Sequence, residues 1–347
     1  MAEKMKAARL HGVGDLKVED VDRPELKNDD DVLIRIHACG ICPSDLRAYA
    51  GQRKRRSDGP YTPGHEWAGE IIDAGNAVEG YAIGDRVAPS WRVMCGECHY
   101  CIRGMANYCE NLVRGRVVGG FCEYGLAPYK HMVKVPDTVS SLKACFTEPV
   151  ACCINGNLDT RIRTGDTVVI VGSGPIGLTH VMLARHAGAR VIVSDVIQSR
   201  LDKALELGAD AVINASKEDP IARVKELTGG YGADCAITAM GIVKAQAQAL
   251  DMVDIGGRVN FFAGTYPAGT FELDPNHLHY RTLHVTGSHD YTPRHFQIAM
   301  DFIRLGTVDV AALVSHELQL ADVRGGFETV KNQQGLKVIV QMSQENA

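Results

Sequence analysis

A chain of 347 residues with 45% apolar and 23% charged side chains is long enough for two domains of ordinary size, and too long for one small one. A formal net charge of -5 with scattered Lys and Arg excludes an extended nucleic-acid surface; the one basic cluster, Arg53-Lys-Arg-Arg56, reads as a solvated loop. The start, Met-Ala-Glu-Lys, has no apolar leader and nowhere do eighteen apolar residues run together, so a soluble cytoplasmic protein with no membrane partner is expected.

From residue 5 to 36, short runs such as Leu16-Lys-Val18 and Val32-Leu-Ile-Arg-Ile36 stand between Gly, Pro and Asp, the pattern of short antiparallel strands. The pattern continues through 70–73, 84–88, 121–124 and 130–135, with a helical period only over 143–157, which predicts a mostly β first part. Three stretches in it carry metal-ligand chemistry: Cys39-Gly-Ile-Cys42-Pro-Ser44-Asp45, Gly64-His65-Glu66 and Thr147-Glu148-Pro149. A thiolate, an imidazole and carboxylates suit a zinc that keeps one position open for water or substrate, whereas a closed site prefers four Cys or His ligands. Adjacent His65 and Glu66 cannot both ligate from one helix face, but a loop or strand end after Gly64 can turn both toward one point.

Eleven cysteines in a small secreted chain would suggest disulfides; here four are spaced for metal and the others sit singly or in apolar surroundings. Cys95-x-x-Cys98-x-x-Cys101-x7-Cys109 brings four thiols within reach of one tetrahedral zinc, and an iron–sulfur cluster would use the same ligand type. Either ion would be enclosed by protein ligands and would staple a lobe, 90–115, that has little apolar core of its own.

After about residue 155 the character changes. Thr167-Val-Val-Ile-Val171 reads as a strand buried on both faces and runs into Gly172-Ser-Gly174-Pro175-Ile176-Gly177, then a helical period. The next apolar run ends in Asp195, about twenty residues on. Glycines there permit a tight turn against a pyrophosphate, and Asp195 is placed for the ribose hydroxyls, where its charge would repel a 2′-phosphate; NAD is expected over NADP. Helices over 198–207, 218–227 and 243–252 alternate with strands over 211–213, 233–238, 257–263 and 283–286, which predicts a doubly wound parallel sheet. A helix over 294–305 and a strand over 336–341 are expected to return to the first lobe. His277 and His279 flank no third ligand, and no metal is expected on them.

Taken together, Gly40-Ile-Cys42-Pro-Ser44-Asp45, Gly64-His65-Glu66, the four-cysteine lobe, Thr147-Glu148-Pro149 and Gly172-Ser-Gly174-Pro175-Ile176-Gly177 resemble the zinc-dependent medium-chain dehydrogenases across essentially the whole chain, nearest their polyol (sorbitol-like) and threonine dehydrogenase branch. The resemblance implies an α/β fold: a GroES-like, mostly β catalytic domain over 1–155 and 290–347, and a Rossmann NAD-binding domain over 156–289. It implies two zinc ions per chain. Cys42, His65 and the two carboxylates Glu66 and Glu148 share the catalytic one, leaving open which carboxylate ligates directly. Cys95, Cys98, Cys101 and Cys109 hold the structural one. It also makes Ser44 the hydroxyl that takes the substrate proton, Asp45 the partner of His65, Arg200 a further ribose contact, and the protein a homo-oligomer, dimer or tetramer.

One position departs from the family pattern. Two residues past Asp45, where many members carry a proton-relaying histidine, this chain has Arg47, and a guanidinium stays protonated. The expected reaction is hydride transfer from a secondary alcohol of a polyhydroxylated small molecule to NAD, with zinc acting on the alcohol oxygen. Arg47 and the 53–56 cluster keep a sugar-alcohol phosphate or sugar acid in view. L-threonine is the further alternative, disfavoured because Thr147-Glu148-Pro149-Val150 departs from the pattern associated with that activity.

Overall fold

The computed structural model describes residues 3–52, 59–113 and 115–342, so the Arg53-Lys-Arg-Arg56 cluster lies outside the described residues. The chain divides into two compact units, one formed by 1–151 with 292–347 and the other by 152–291. Among the described residues no helix is long and apolar enough to cross a membrane.

The first unit is built on a seven-stranded sheet. Val314–Gln319, Lys337–Gln341, Asp31–Gly40, Glu66–Ala74, Arg86–Pro89 and Met132–Lys134 follow one another across it, and Tyr124–Pro128 also pairs with Asp31–Gly40. Lys4–Gly12 and Asp15–Asp22 form a separate antiparallel hairpin. The central strand Asp31–Gly40 is buried at nine of its ten positions, because it has a neighbour on either side and packs on both faces. Its Ile34 and Ile36 belong to one buried core with Trp67, Ile71, Phe121 and Phe327. Ile339, Val340 and Gln341 pair antiparallel with Gly40, Cys39 and Ala38, which sets the end of the chain beside the strand that leads to Cys42.

Two local readings of the sequence differ from the structure here. Residues 121–123 form no strand, since the strand begins only at Tyr124. The helical period over 143–157 is divided into Ser141–Ala144 and Thr147–Thr160.

The second unit is a six-stranded parallel sheet in the spatial order Ala211–Asn214, Arg190–Asp195, Thr167–Val171, Ala233–Thr238, Val253–Phe261, His284–Gly287. Numbered along the chain within this unit, that order is 3-2-1-4-5-6, the doubly wound arrangement whose switch point lies at the first strand. Val168, Val169 and Ile170 are fully buried, as the uninterrupted apolar run requires of a central parallel strand. Two of its helices start where an aspartate caps them: Asp219 accepts from Ile221 N–H ahead of Pro220–Leu227, and Asp274 from Asn276 N–H ahead of Pro275–Arg281, with Pro at the first helical position of each.

Candidate metal centre and dinucleotide turn

Cys42 ends the loop after Asp31–Gly40 and caps the helix Pro43–Tyr49; His65 immediately precedes the strand Glu66–Ala74, which Glu66 opens. These two segments are tied together by Asp45. Its carboxylate accepts from Cys42 N–H at 3.2 Å and from Gly64 N–H at 3.4 Å, and lies 3.3 Å from His65 Nδ1. Gly64 has φ of +101°, and a Cβ there would stand 2.8 Å from Gly120 Cα, so the turn that aims His65 requires glycine. With Nδ1 engaged by Asp45, Nε2 is the nitrogen left to face the site, 3.5 Å from Ser44 Oγ, which is itself 3.3 Å from Cys42 Sγ. Ligand atoms of Cys42, His65 and Glu66 all lie within 4.8 Å of one another.

The electrostatics of this group ask for a cation. Burial opposes an imidazolium, yet the Asp45 carboxylate and the Cys42 sulfur push His65 well above the usual imidazole range. Cys42 Sγ, His65 Nε2 and a Glu66 oxygen are a donor set that fits zinc. The sequence reading missed one charge at this place: Lys337, on the returning strand, is 4% exposed and its Nζ bonds Glu66 Oε2. Burial lowers the affinity of Lys337 for its proton, but Glu66 and Cys42 hold it well above the usual lysine range. A signal was present, since a lysine inside the apolar run Leu336-Lys-Val-Ile-Val340 has to meet a partner if that strand is buried.

Glu148 stands outside the Cys42–His65–Glu66 group. It sits in the first turn of Thr147–Thr160 and accepts from Trp91 Nε1 at 3.2 Å, while the Trp91 ring meets the His65 ring edge-on at 6.0 Å. Trp91, also missed in the sequence, thus connects the second carboxylate to the imidazole. Cys39 is fully buried with its thiol pushed far up by burial, so it is a core side chain beside the site.

The four lobe cysteines converge. Cys95 and Cys101 sulfurs are 4.0 Å apart, Cys98 and Cys109 4.0 Å, and Cys95 and Cys109 3.5 Å. Four sulfurs at a zinc–thiolate distance have tetrahedron edges of about 3.8 Å. The donors therefore fit that ion. Cys98 N–H points to Cys95 Sγ at 3.4 Å and Cys95 N–H to Cys109 Sγ at 3.3 Å, the contacts expected of thiolates. Apart from two of these cysteines, the lobe's buried apolar cluster has only Met94, which leaves little else to hold it together.

In the second unit the strand Thr167–Val171 turns at Gly172, with φ of +100°, into the helix Pro175–His186, whose N-cap is Gly174 and whose first position is Pro175. A Cβ on Gly177 would run into the Gly172 carbonyl, so Gly177, next to Ile176, packs the helix directly on the turn. Asp195 ends the adjacent strand, and its carboxylate accepts from Ser173 beneath the same turn; Arg200 lies on the next helix, Gln198–Glu206. A glycine turn opening a helix beside a carboxylate fits a dinucleotide. His277 pairs with Asp251 at 3.4 Å and meets Arg281 at 2.9 Å, and among the described residues it joins no metal-ligand group.

The family model described as "Alcohol dehydrogenase GroES-like domain" matches residues 28–137, and that described as "Zinc-binding dehydrogenase" matches 175–304. A sorbitol dehydrogenase of Halalkalibacterium halodurans is 32% identical over 95% of this chain and 96% of its own. A D-arabitol-phosphate dehydrogenase of Enterococcus avium is 30% identical over 99% of both. Among solved structures, a zinc-binding dehydrogenase of Sinorhizobium meliloti bound to NADP superposes with a TM-score of 0.90 at 32% identity, over 98% of this chain and 100% of that one.

Proposed function

Since this chain belongs to the zinc-dependent medium-chain dehydrogenases, enzymes that oxidise alcohols with a nicotinamide dinucleotide, we propose that it converts a secondary alcohol of a polyol, cyclitol or sugar to the ketone, reversibly, with NAD. The observation that carries this reading is the convergence of Cys42, His65 and Glu66 on one point with the Ser44 hydroxyl beside them. In it Cys42 and His65 hold the catalytic zinc, with Glu66 and Glu148 as the available carboxylates. The four lobe cysteines hold a second, structural zinc, and Gly172, Gly174, Pro175, Ile176, Gly177, Asp195 and Arg200 hold NAD. A homo-oligomeric, cytoplasmic enzyme belongs to the same reading, supported by the family resemblance.

Zinc, when bound, supplies a Lewis acid to the alcohol oxygen, and NAD supplies the hydride acceptor. The chain's own residues do the rest. Asp45 fixes the His65 tautomer so that Nε2 faces the ligand position. Ser44, between Cys42 Sγ and His65 Nε2, is placed to accept the alcohol proton in oxidation and return it in reduction. Lys337 pairs with Glu66 and offsets the charge of that carboxylate beside the Cys42 sulfur. Arg47, one turn beyond Ser44 on the same short helix, cannot pass the proton on, because it does not deprotonate; the proton leaves by water or by another group.

A second reading, an anionic substrate, is favoured by the arabitol-phosphate relative and by Arg47. A substrate panel with NAD⁺ decides between them, comparing neutral polyols and cyclitols with their phosphates, aldonic acids and L-threonine, and repeated on Arg47→Ala. Neutral polyols should give the highest kcat/KM with little effect of the substitution. An advantage of about tenfold for anions that Arg47→Ala abolishes would establish the second reading instead.

A further inference from the structure

The Asp195 carboxylate is 4% exposed and receives four hydrogen bonds from its own chain. Ser173 donates its N–H and its hydroxyl to Oδ2 at 2.6 and 2.8 Å, while the N–H groups of Val196 and Ile197 donate to Oδ1 at 2.7 and 3.0 Å. An ionised carboxylate has about four lone-pair sites, so donors and acceptors match in number. Three of these donors are backbone groups, supplied by the turn whatever its side chains. The fourth, the hydroxyl of fully buried Ser173, is present only because position 173 is serine.

We infer that Ser173 is a specificity-determining residue for the dinucleotide. Its hydroxyl occupies acceptor capacity on Asp195 that the adenosine 2′-hydroxyl would otherwise receive, and it spreads charge that would otherwise repel a 2′-phosphate. The chain therefore holds NAD less tightly, and rejects NADP less strictly, than the same turn would without that hydroxyl. This rests on the reading of Asp195 as the ribose partner. The physical ground is that a charge-assisted hydrogen bond is stronger when its acceptor is shared among fewer donors, and that like-charge repulsion weakens when one of the charges is already solvated by the chain.

Ser173→Ala keeps the volume and all three backbone donors. Dissociation constants of NADH and NADPH, from the rise in nucleotide fluorescence on binding, should show NADH tightening about three- to tenfold, NADPH unchanged or weaker, and the preference for NADH rising at least about threefold. A smaller rise, or a fall, overturns the inference. Should the variant fail to fold, the wild-type protein still decides: 5′-AMP should bind no more than about threefold tighter than its 2′-deoxy analogue, and a wider gap overturns it.

Asp195→Ala separates the two layers of the argument. If it leaves NADH and NADPH affinities unchanged, the ribose reading of Asp195 fails. If it weakens NADH while Ser173→Ala changes nothing, only the inference about Ser173 fails. On the Asp195→Ala background Ser173→Ala should be silent, and an effect that persisted there would mean that the hydroxyl acts by another route.

Discussion

The two units solve the same problem, collecting chemical groups at one point, in opposite ways. In the second unit the groups lie between Gly172 and Arg200, one strand–turn–helix–strand followed by a helix start, and local backbone rules assemble them. In the first, Cys42, His65 and Glu66 come from two segments clamped by Asp45, and the counter-charge Lys337 arrives from 271 residues beyond Glu66. A site made of one run survives changes elsewhere in its unit; a site made of distant segments depends on the sheet that joins them. The two should therefore be separable by mutation, and the sharpest separation is in the chemistry itself.

Cys42→Ala or His65→Ala should remove one zinc per chain and lower turnover by more than about a hundredfold, with NADH binding kept within about twofold. Zinc content and NADH titration on the same sample test this. Turnover above that level would rule zinc out as the Lewis acid, and a parallel loss of NADH binding would show that the two sites are not separable.

The four-cysteine lobe sharpens the comparison within the first unit, because its ligands, like those of the dinucleotide turn, come from one short run. Cys98→Ser should remove the other zinc and lower the melting temperature by about 10 °C or more, since a structural metal contributes folding free energy directly. The molecules that remain folded should keep their turnover. Normal melting with dead chemistry would reverse the two metal roles.

Lys337→Met addresses the long-range part of the catalytic site. It leaves Glu66, whose side chain is 1% exposed, as a buried carboxylate without its ammonium partner, which should cost about 3–5 kcal/mol in urea unfolding. The loss should be larger after chelation, when no cation faces Glu66. Glu66→Gln combined with Lys337→Met should recover much of it, because removing both charges is cheaper than removing one. A single-variant loss under about 1 kcal/mol would mean that Glu66 is already neutralised from elsewhere.

What could be read from the sequence follows the same division. The parallel sheet was legible because a strand buried on both faces must be apolar throughout, as 167–171 is. Gly172 and Gly177 were legible because a turn with φ of +100° and a helix packed on its own turn exclude side chains. Cys95 to Cys109 were legible because thiols this close in sequence have few ways to point apart. Lys337 and Trp91 were not, since nothing local to either residue names its partner. The helix Pro43–Tyr49 was also missed, being only about two turns long and capped by a cysteine in place of Ser, Thr, Asp or Asn. The Ser173–Asp195 bond lay within the motif that was read, but a motif gives residue types and not which acceptors they fill.

The smallest effect expected concerns acid, and it asks which unit fails first. His180, on the helix after the glycine turn, is fully buried; its Nδ1 lies 2.9 Å from Asn157 Oδ1 and its ring stands edge-on to Phe262 at 4.6 Å. With Nδ1–H donating to the Asn157 oxygen, the imidazole is neutral, and burial pushes its pKa down to about 3. The unfolded chain takes up this proton near the usual 6.5, so between those two values the unfolded state binds a proton that the folded state refuses. Stability from His180 is thus fully present above pH 6.5 and declines as pH falls toward 3, by about 1.4 kcal/mol per pH unit, or about 2 kcal/mol between pH 7 and pH 5. His180→Gln keeps a donor for Asn157 and removes the titration. Both tryptophans, Trp67 and Trp91, belong to the first unit, so their fluorescence reports that unit, while NADH binding reports the second. On lowering the pH of the wild-type protein, NADH binding should be lost before the tryptophan signal changes, and in His180→Gln the order should close up by about the same 2 kcal/mol at pH 5. If the variant and the wild type lose NADH binding at the same pH, the buried imidazole does not set the acid limit of the dinucleotide unit.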